Sequence, residues 1–231
     1  MGTEIILIVF YVIVLLYSVI LHEISHGVVA LWLGDVTAKY AGRLTLHPKS
    51  HIDPVGSILV PGMLLLVSMG QMAFGWAKPV PYNPNNLRDQ KWGELLVALA
   101  GPATNIVIAF VAVLLSKLIF LSSQVKIEII QNFNNWSDVA QLLSGSFQAI
   151  IFLLLVYVVF WNVLLTFFNL IPIPPLDGSK ILYALVPIDI KTKIFLEQFG
   201  FFLLLFIVFF LNGPLSQFLS WALNTFFGLM L

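Results

Sequence analysis

Four stretches of this chain, residues 4–33, 92–121, 147–171 and 200–223, are apolar over about twenty or more positions. That is the length a helix needs to cross the ~30 Å hydrocarbon core of a bilayer. Lipid offers the backbone no hydrogen-bond partner, so each stretch must satisfy its own N–H and C=O groups, which a helix does internally. With 60% hydrophobic and 10% charged residues, little else remains. No internal repeat, low-complexity tract or soluble domain interrupts the pattern, and the longest polar stretch, 124–144, is too short to fold alone. The fold expected is an all-α polytopic membrane protein: about four full transmembrane helices plus one broken or re-entrant hydrophobic segment, in a single domain over 1–231. A formal net charge of zero points to no nucleic acid and no acidic partner, and the absence of cysteine removes disulfides and thiolate ligands.

Into the first stretch are set His22, Glu23 and His26. An ionisable side chain at bilayer depth costs between ~2.5 and ~17 kcal/mol, so three together require compensation. Residues four apart share a helix face, so both imidazoles can reach one metal ion with Glu23 beside them. On a soluble surface helix HExxH is often two solvated histidines; here no solvent reaches them without a cavity. Zinc held by neutral histidines lowers the pKa of its bound water to roughly 7, and an adjacent carboxylate can take that proton. The stretch lacks a basic n-region and an A-x-A site, so it is expected to stay in the mature protein.

Residues 55–74 form a fifth apolar segment, punctuated by Gly56, Pro61, Gly62, Gly70 and Gly75. Proline removes a backbone donor and glycine weakens a helix, so a broken or hairpin element is expected. If the segment enters and leaves on one face, Lys39, Arg43, Lys49, Lys78, Arg88, Lys91, Lys180, Lys191 and Lys193 share that face, leaving Lys117 and Lys126 opposite. The positive-inside tendency favours this arrangement and makes the basic face cytoplasmic. His22 and His26, the run from Ala100 to Asn105, and the run from Asn169 to Gly178 then converge at one depth near the cytoplasmic side.

A catalytic zinc takes three protein ligands and leaves one position open, and two histidines supply two. Asp177 is the leading third. Pro172, Pro174 and Pro175 before it forbid regular helix, and unwound chain at that depth must line a cavity or be buried in protein. His47 and His51, near Asp53, are alternatives that read more naturally as a solvated or interfacial loop. Asp35 and Asp189 read as caps or turn residues, and Glu94 as a first-turn acid. Asn105 and Asn169 are neutral polar groups that either bond between helices or stabilise an oxyanion. Asn162, Thr166 and Asn169 fall near one helical face.

The HExxH at 22–26, Gly101-Pro102-x-x-Asn105, and Asn169-x-x-Pro172-x-Pro174-x-x-Asp177-Gly178 resemble, in order and spacing, the site-2 protease family of intramembrane zinc metalloproteases. The tract Phe74-Gly75-Trp76-Ala77-Lys78-Pro79-Val80-Pro81 is similar to its compact prokaryotic branch. The resemblance implies one catalytic zinc on His22, His26 and Asp177, Glu23 as acid/base, and Asn105 and Asn169 beside the substrate. It implies a catalytic core over about 4–180, followed by a C-terminal transmembrane helix over about 200–223. The substrates implied are transmembrane proteins or peptides, cut within the lipid bilayer of a prokaryotic cell membrane in regulated proteolysis. With 231 residues there is no room for a PDZ or CBS domain, so regulation by peptide or nucleotide does not carry over. Oligomeric state stays open, a homodimer being one option. Because a folded helix hides its carbonyls, the scissile stretch must extend, and residues 48–81 could offer an edge for it.

The competing class is a non-proteolytic membrane metal-binding protein or transporter. Transporters usually show internal duplication, absent here, and need no glutamate between two ligand histidines. A purely structural scaffold leaves the buried charges unexplained.

Overall fold

A computed structural model of the chain describes residues 2–67, 69, 75–143, 146–210 and 212–231. In chain order its helices are α1 (Gly2–Trp32), α2 (Thr37–Tyr40), α3 (Val60–Val67), α4 (Gln90–Lys117), α5 (Ser123–Asn132), α6 (Trp136–Leu142), α7 (Phe147–Asn169), α8 (Asp177–Leu185), α9 (Ile190–Phe210) and α10 (Asn212–Met230), with no strand among the described residues. Four of them, α1, α4, α7 and α9, are long and apolar enough to cross a membrane. The all-α polytopic class is therefore observed.

The first three spans fall on the expected stretches. Of the fourth stretch, 200–223, residues 200–210 lie in α9, which begins earlier, at Ile190, and residues 212–223 lie in α10, Leu211 lying outside the described residues. At its start α9 is capped by Asp189, whose Oδ2 accepts Thr192 N–H at 3.1 Å and whose Oδ1 accepts Thr192 Oγ1–H at 2.6 Å. Those hydrogen bonds hold its carboxyl below the usual carboxylate range.

The chain divides into two compact units, Val19–Gly101 and Met1–Ser18 with Pro102–Leu231. In the larger unit, α7 supplies the fully buried Phe152, Leu153, Val156, Tyr157, Val159 and Val163, packed with Ala109 and Ala112 of α4 and Ala222 and Phe226 of α10. The polar stretch at 124–144 is not a loop. It forms α5 and α6, which seat Ile129 and Val139 in the same core, Ser144 lying outside the described residues. Lys126 is buried there, and its Nζ donates to Ser116 O at 3.3 Å, satisfying a carbonyl at the end of α4. Burial, then the charge of Lys117, pushes its ammonium pKa down.

In the smaller unit, the segment after Asp53 is helical from Pro54 to Val67, a π-turn (Pro54–Leu59) running into α3. Fourteen residues rise about 21 Å, short of a hydrocarbon core. Pro61 leaves a gap in the π register. Val60 N–H bonds Val55 O, so the next carbonyl, Gly56 O, would be owed to a proline without N–H. Trp76 N–H takes it instead, at 3.0 Å. A Cβ on Gly56 would collide with the Trp76 indole, so only glycine permits this approach. Of the segment expected over 55–74, Ser68 and Gly70 to Phe74 lie outside the described residues.

Candidate metal and catalytic site

His22, Glu23 and His26 lie inside α1, with both histidines buried (5% and 8% exposed) and Glu23 half-buried. The two rings stand 4.7 Å apart at 83°. His26 Nδ1 lies 2.6 Å from the carbonyl of Val97 on α4. A carbonyl only accepts, so Nδ1 carries the hydrogen and the lone pair is on Nε2, the tautomer a metal requires. Gly101, one turn beyond Val97 on α4, shows where the nitrogens aim. A Cβ built there would lie 2.5 Å from Nε2 of His22 and 2.5 Å from Nε2 of His26. Both Nε2 atoms thus border one small space, open because residue 101 has no side chain. The donor set and that space fit a tetrahedral-type divalent ion bound by neutral imidazoles.

Glu23 is held from the other side. Its Oε2 accepts the backbone N–H of Val80 at 2.9 Å. Val80 belongs to the irregular segment 75–83, whose alternate amides all turn inward: Trp76 N–H to Gly56 O, Lys78 N–H to His51 O, and Val80 N–H to Glu23. Arg43 Nη2 donates to Lys78 O at 2.6 Å and to Pro79 O at 3.1 Å. Pro79 and Pro81 have no N–H, so the opposite edge offers no donor at either position.

Asp35 anchors the same unit just past α1. It is fully buried and accepts Thr37 N–H (3.1 Å), Thr37 Oγ1–H (2.5 Å), Asn83 N–H (2.7 Å) and Asn86 Nδ2–H (2.8 Å). Burial pushes its carboxyl up, but these four bonds outweigh it and hold it below the usual carboxylate range. Its reading as a turn residue is borne out. Glu94 is not in the first turn, because α4 starts at Gln90 and Asp89 caps it by accepting Trp92 N–H at 2.9 Å. His47 is exposed, as a loop residue should be, but His51 is not solvated. It is 1% exposed, with Nε2 2.8 Å from Thr45 O, because the loop folds back over it.

In the larger unit, Asp177 is the first residue of α8 and 7% exposed. The irregular chain before it carries Pro172, Pro174 and Pro175, as their lack of N–H requires. Gly178 sets its position. A Cβ there would strike the carbonyls of Leu170 and Ile171, so glycine lets α8 start directly against the end of α7. Asn105 is fully buried, and its amide Nδ2 donates to Ser18 O at 3.2 Å and Asn162 Oδ1 at 2.7 Å. Asn162 Nδ2 donates in turn to Ser18 Oγ at 2.8 Å, and Thr166 Oγ1 to Pro102 O at 3.3 Å. Of the two roles open to Asn105, interhelical bonding is the one its amide hydrogens perform. Half-buried Asn169 donates one amide hydrogen to Leu165 O at 2.9 Å and the other to no acceptor among the described residues.

Three participants escaped the sequence reading: Val97 through its carbonyl, Val80 through its amide, and Arg43. Only the Pro79-Val80-Pro81 run carried a signal, since Val80 owns its sole backbone donor.

Residues 10–207 match peptidase family M50. The chain is 36% identical over 215 residues to "Putative zinc metalloprotease YwhC" of Bacillus subtilis, covering 93% of this chain and 85% of that protein. It is 29% identical over 164 residues to "Putative zinc metalloprotease Rip2" of Mycolicibacterium smegmatis (71% of this chain, 52% of that one). The Mycobacterium tuberculosis protein of the same name is 26% identical over 212 residues, 90% and 71% of the two chains. No solved structure matches the chain.

Proposed function

The chain belongs to peptidase family M50, the site-2 protease family, and from that premise we propose that it is a zinc-dependent endopeptidase cutting transmembrane segments of other proteins within the bilayer. The observation that carries the reading is the pair of buried imidazoles on a membrane-length helix. Their Nε2 atoms border one space at Gly101, and His26 is locked in its metal-binding tautomer by Val97 O.

His22, His26 and Asp177 would hold the ion, Asp177 completing three protein ligands. When bound there, zinc would supply Lewis-acid chemistry toward a water and a peptide carbonyl. Glu23 accepts the proton released as water adds to that carbonyl and returns it to the leaving amine, general acid–base assistance worth ~10²–10⁴-fold. Asn169 directs its remaining amide hydrogen at the carbonyl oxygen as charge develops on it. Asn105 holds α1, α4 and α7 in register. The relatives named as metalloproteases in bacteria support a prokaryotic cell membrane as the setting.

The test is metal analysis of the purified protein together with digestion of a panel of helical membrane peptides, Glu23→Gln as control. Zinc near one per chain, and cleavage abolished in Glu23→Gln while zinc stays, are expected. Metal crossing the bilayer of proteoliposomes without any peptide cleavage would replace this reading with a transporter.

A further inference from the structure

The Pro79–Val80 peptide unit is gripped at both ends. Its oxygen accepts Arg43 Nη2, and its N–H donates to Glu23 Oε2. In a trans unit these atoms point in opposite directions, so the peptide dipole puts its negative end on the guanidinium and its positive end on the carboxylate. A donor whose carbonyl is hydrogen-bonded to a cation is itself strengthened. Arg43 is 7% exposed and makes no ion pair among the described residues, an arrangement that is costly for a buried cation. The carboxylate it reaches, through one peptide unit, is Glu23.

The flanking chain holds that unit in place. Pro79 and Pro81 fix their own φ and push Lys78 and Val80 toward extended backbone. The buried Val80 side chain rests on Gly27, one turn after Glu23. A Cβ on Gly27 would come within 2.8 Å of Val80 Cγ1 and 2.6 Å of Leu44 Cδ2. Glu23 and Gly27 thus form a two-point seat on α1 for Val80.

We propose that Arg43 and the Pro79–Val80 peptide are positioning groups for Glu23. The N–H holds Oε2, and Arg43, acting through the peptide, strengthens and aims that bond, so that Oε1 faces the reacting water. This rests on the reading of Glu23 as acid/base.

The decisive variant replaces the Val80 N–H by an ester oxygen, with 2-hydroxyisovalerate at position 80, keeping the valine side chain. Using a membrane peptide that the wild type cleaves, the ester should lower kcat about 10- to 100-fold, with KM and bound zinc nearly unchanged. Arg43→Gln should lower kcat by about tenfold in the same manner. The two changes together should cost little more than the ester alone, because both act through one bond. Val80→Ala keeps the amide and should lose less than the ester. Should Arg43→Gln not fold, the ester against Val80→Ala decides.

Wild-type kcat in the ester protein, or losses that simply add in the double variant, would overturn the inference. Those outcomes are separable from failure of the parent reading, which would appear as wild-type cleavage that survives Glu23→Gln and would remove both.

Discussion

Gly101→Ala is the sharpest probe of the site's dimensions. The new Cβ would sit 2.5 Å from His22 Cε1, His22 Nε2 and His26 Nε2, whereas ordinary contact begins at 3.4 Å, so the rings must retreat by about 0.9 Å. His26 has little room, because its Nδ1–H is tied to Val97 O at 2.6 Å. Displacement on this scale exceeds the ~0.5 Å tolerance of a functional constellation. Overpacking of this kind costs about 1–3 kcal/mol. Charged to the bound state, that is roughly a 5- to 150-fold loss of zinc affinity, with kcat/KM falling by at least as much. Chelator competition with the detergent-solubilised protein measures the affinity, and circular dichroism checks that the helices persist. Gly228→Ala, whose Cβ meets nothing within 4 Å, is the matched control. Wild-type affinity and turnover in Gly101→Ala would refute the placement of the two nitrogens.

His22→Ala, His26→Ala and Asp177→Ala should each strip most bound zinc, whereas His47→Ala and His51→Ala should leave it, His51→Ala losing thermal stability instead; metal analysis and a melting curve read both. Asn169→Ala should keep zinc and lose about 10²–10³-fold in turnover, while Asn105→Ala, which breaks the bonds to Ser18 and Asn162, should show as a lower melting temperature. Asp35→Ala should cost roughly 2–3 kcal/mol at pH 7 from the hydrogen bonds lost. Because the folded Asp35 carboxyl is the depressed one, its contribution is present above the unfolded pKa of ~3.9 and fades as pH falls through the folded value, so wild-type and variant melting temperatures should converge in acid. Single cysteines in this cysteine-free chain at Asn85 and Lys191 should react with impermeant reagents from the cytoplasmic side and one at Asn134 from the other, all three being exposed; labelling at 45 and 85 from opposite faces would reject the re-entrant arrangement.

What the sequence determined by itself was whatever repeats locally or is written in side-chain identity. Runs of apolar residues dictated helices, because lipid leaves the backbone no other partner. His22 and His26, four apart, had to share a face on any helix, and three prolines before Asp177 had to break one. The tertiary structure alone decided which backbone groups complete the site. Val97 O meets His26 across 71 residues and Val80 N–H meets Glu23 across 57, and a carbonyl or amide carries no mark of its residue type. Burial of His51 and commitment of both Asn105 amide hydrogens were hidden for the same reason: each depends on what distant chain packs against it. The fourth span starts at Ile190, ahead of the apolar run at 200, since the Asp189 cap and not hydropathy sets where that helix begins.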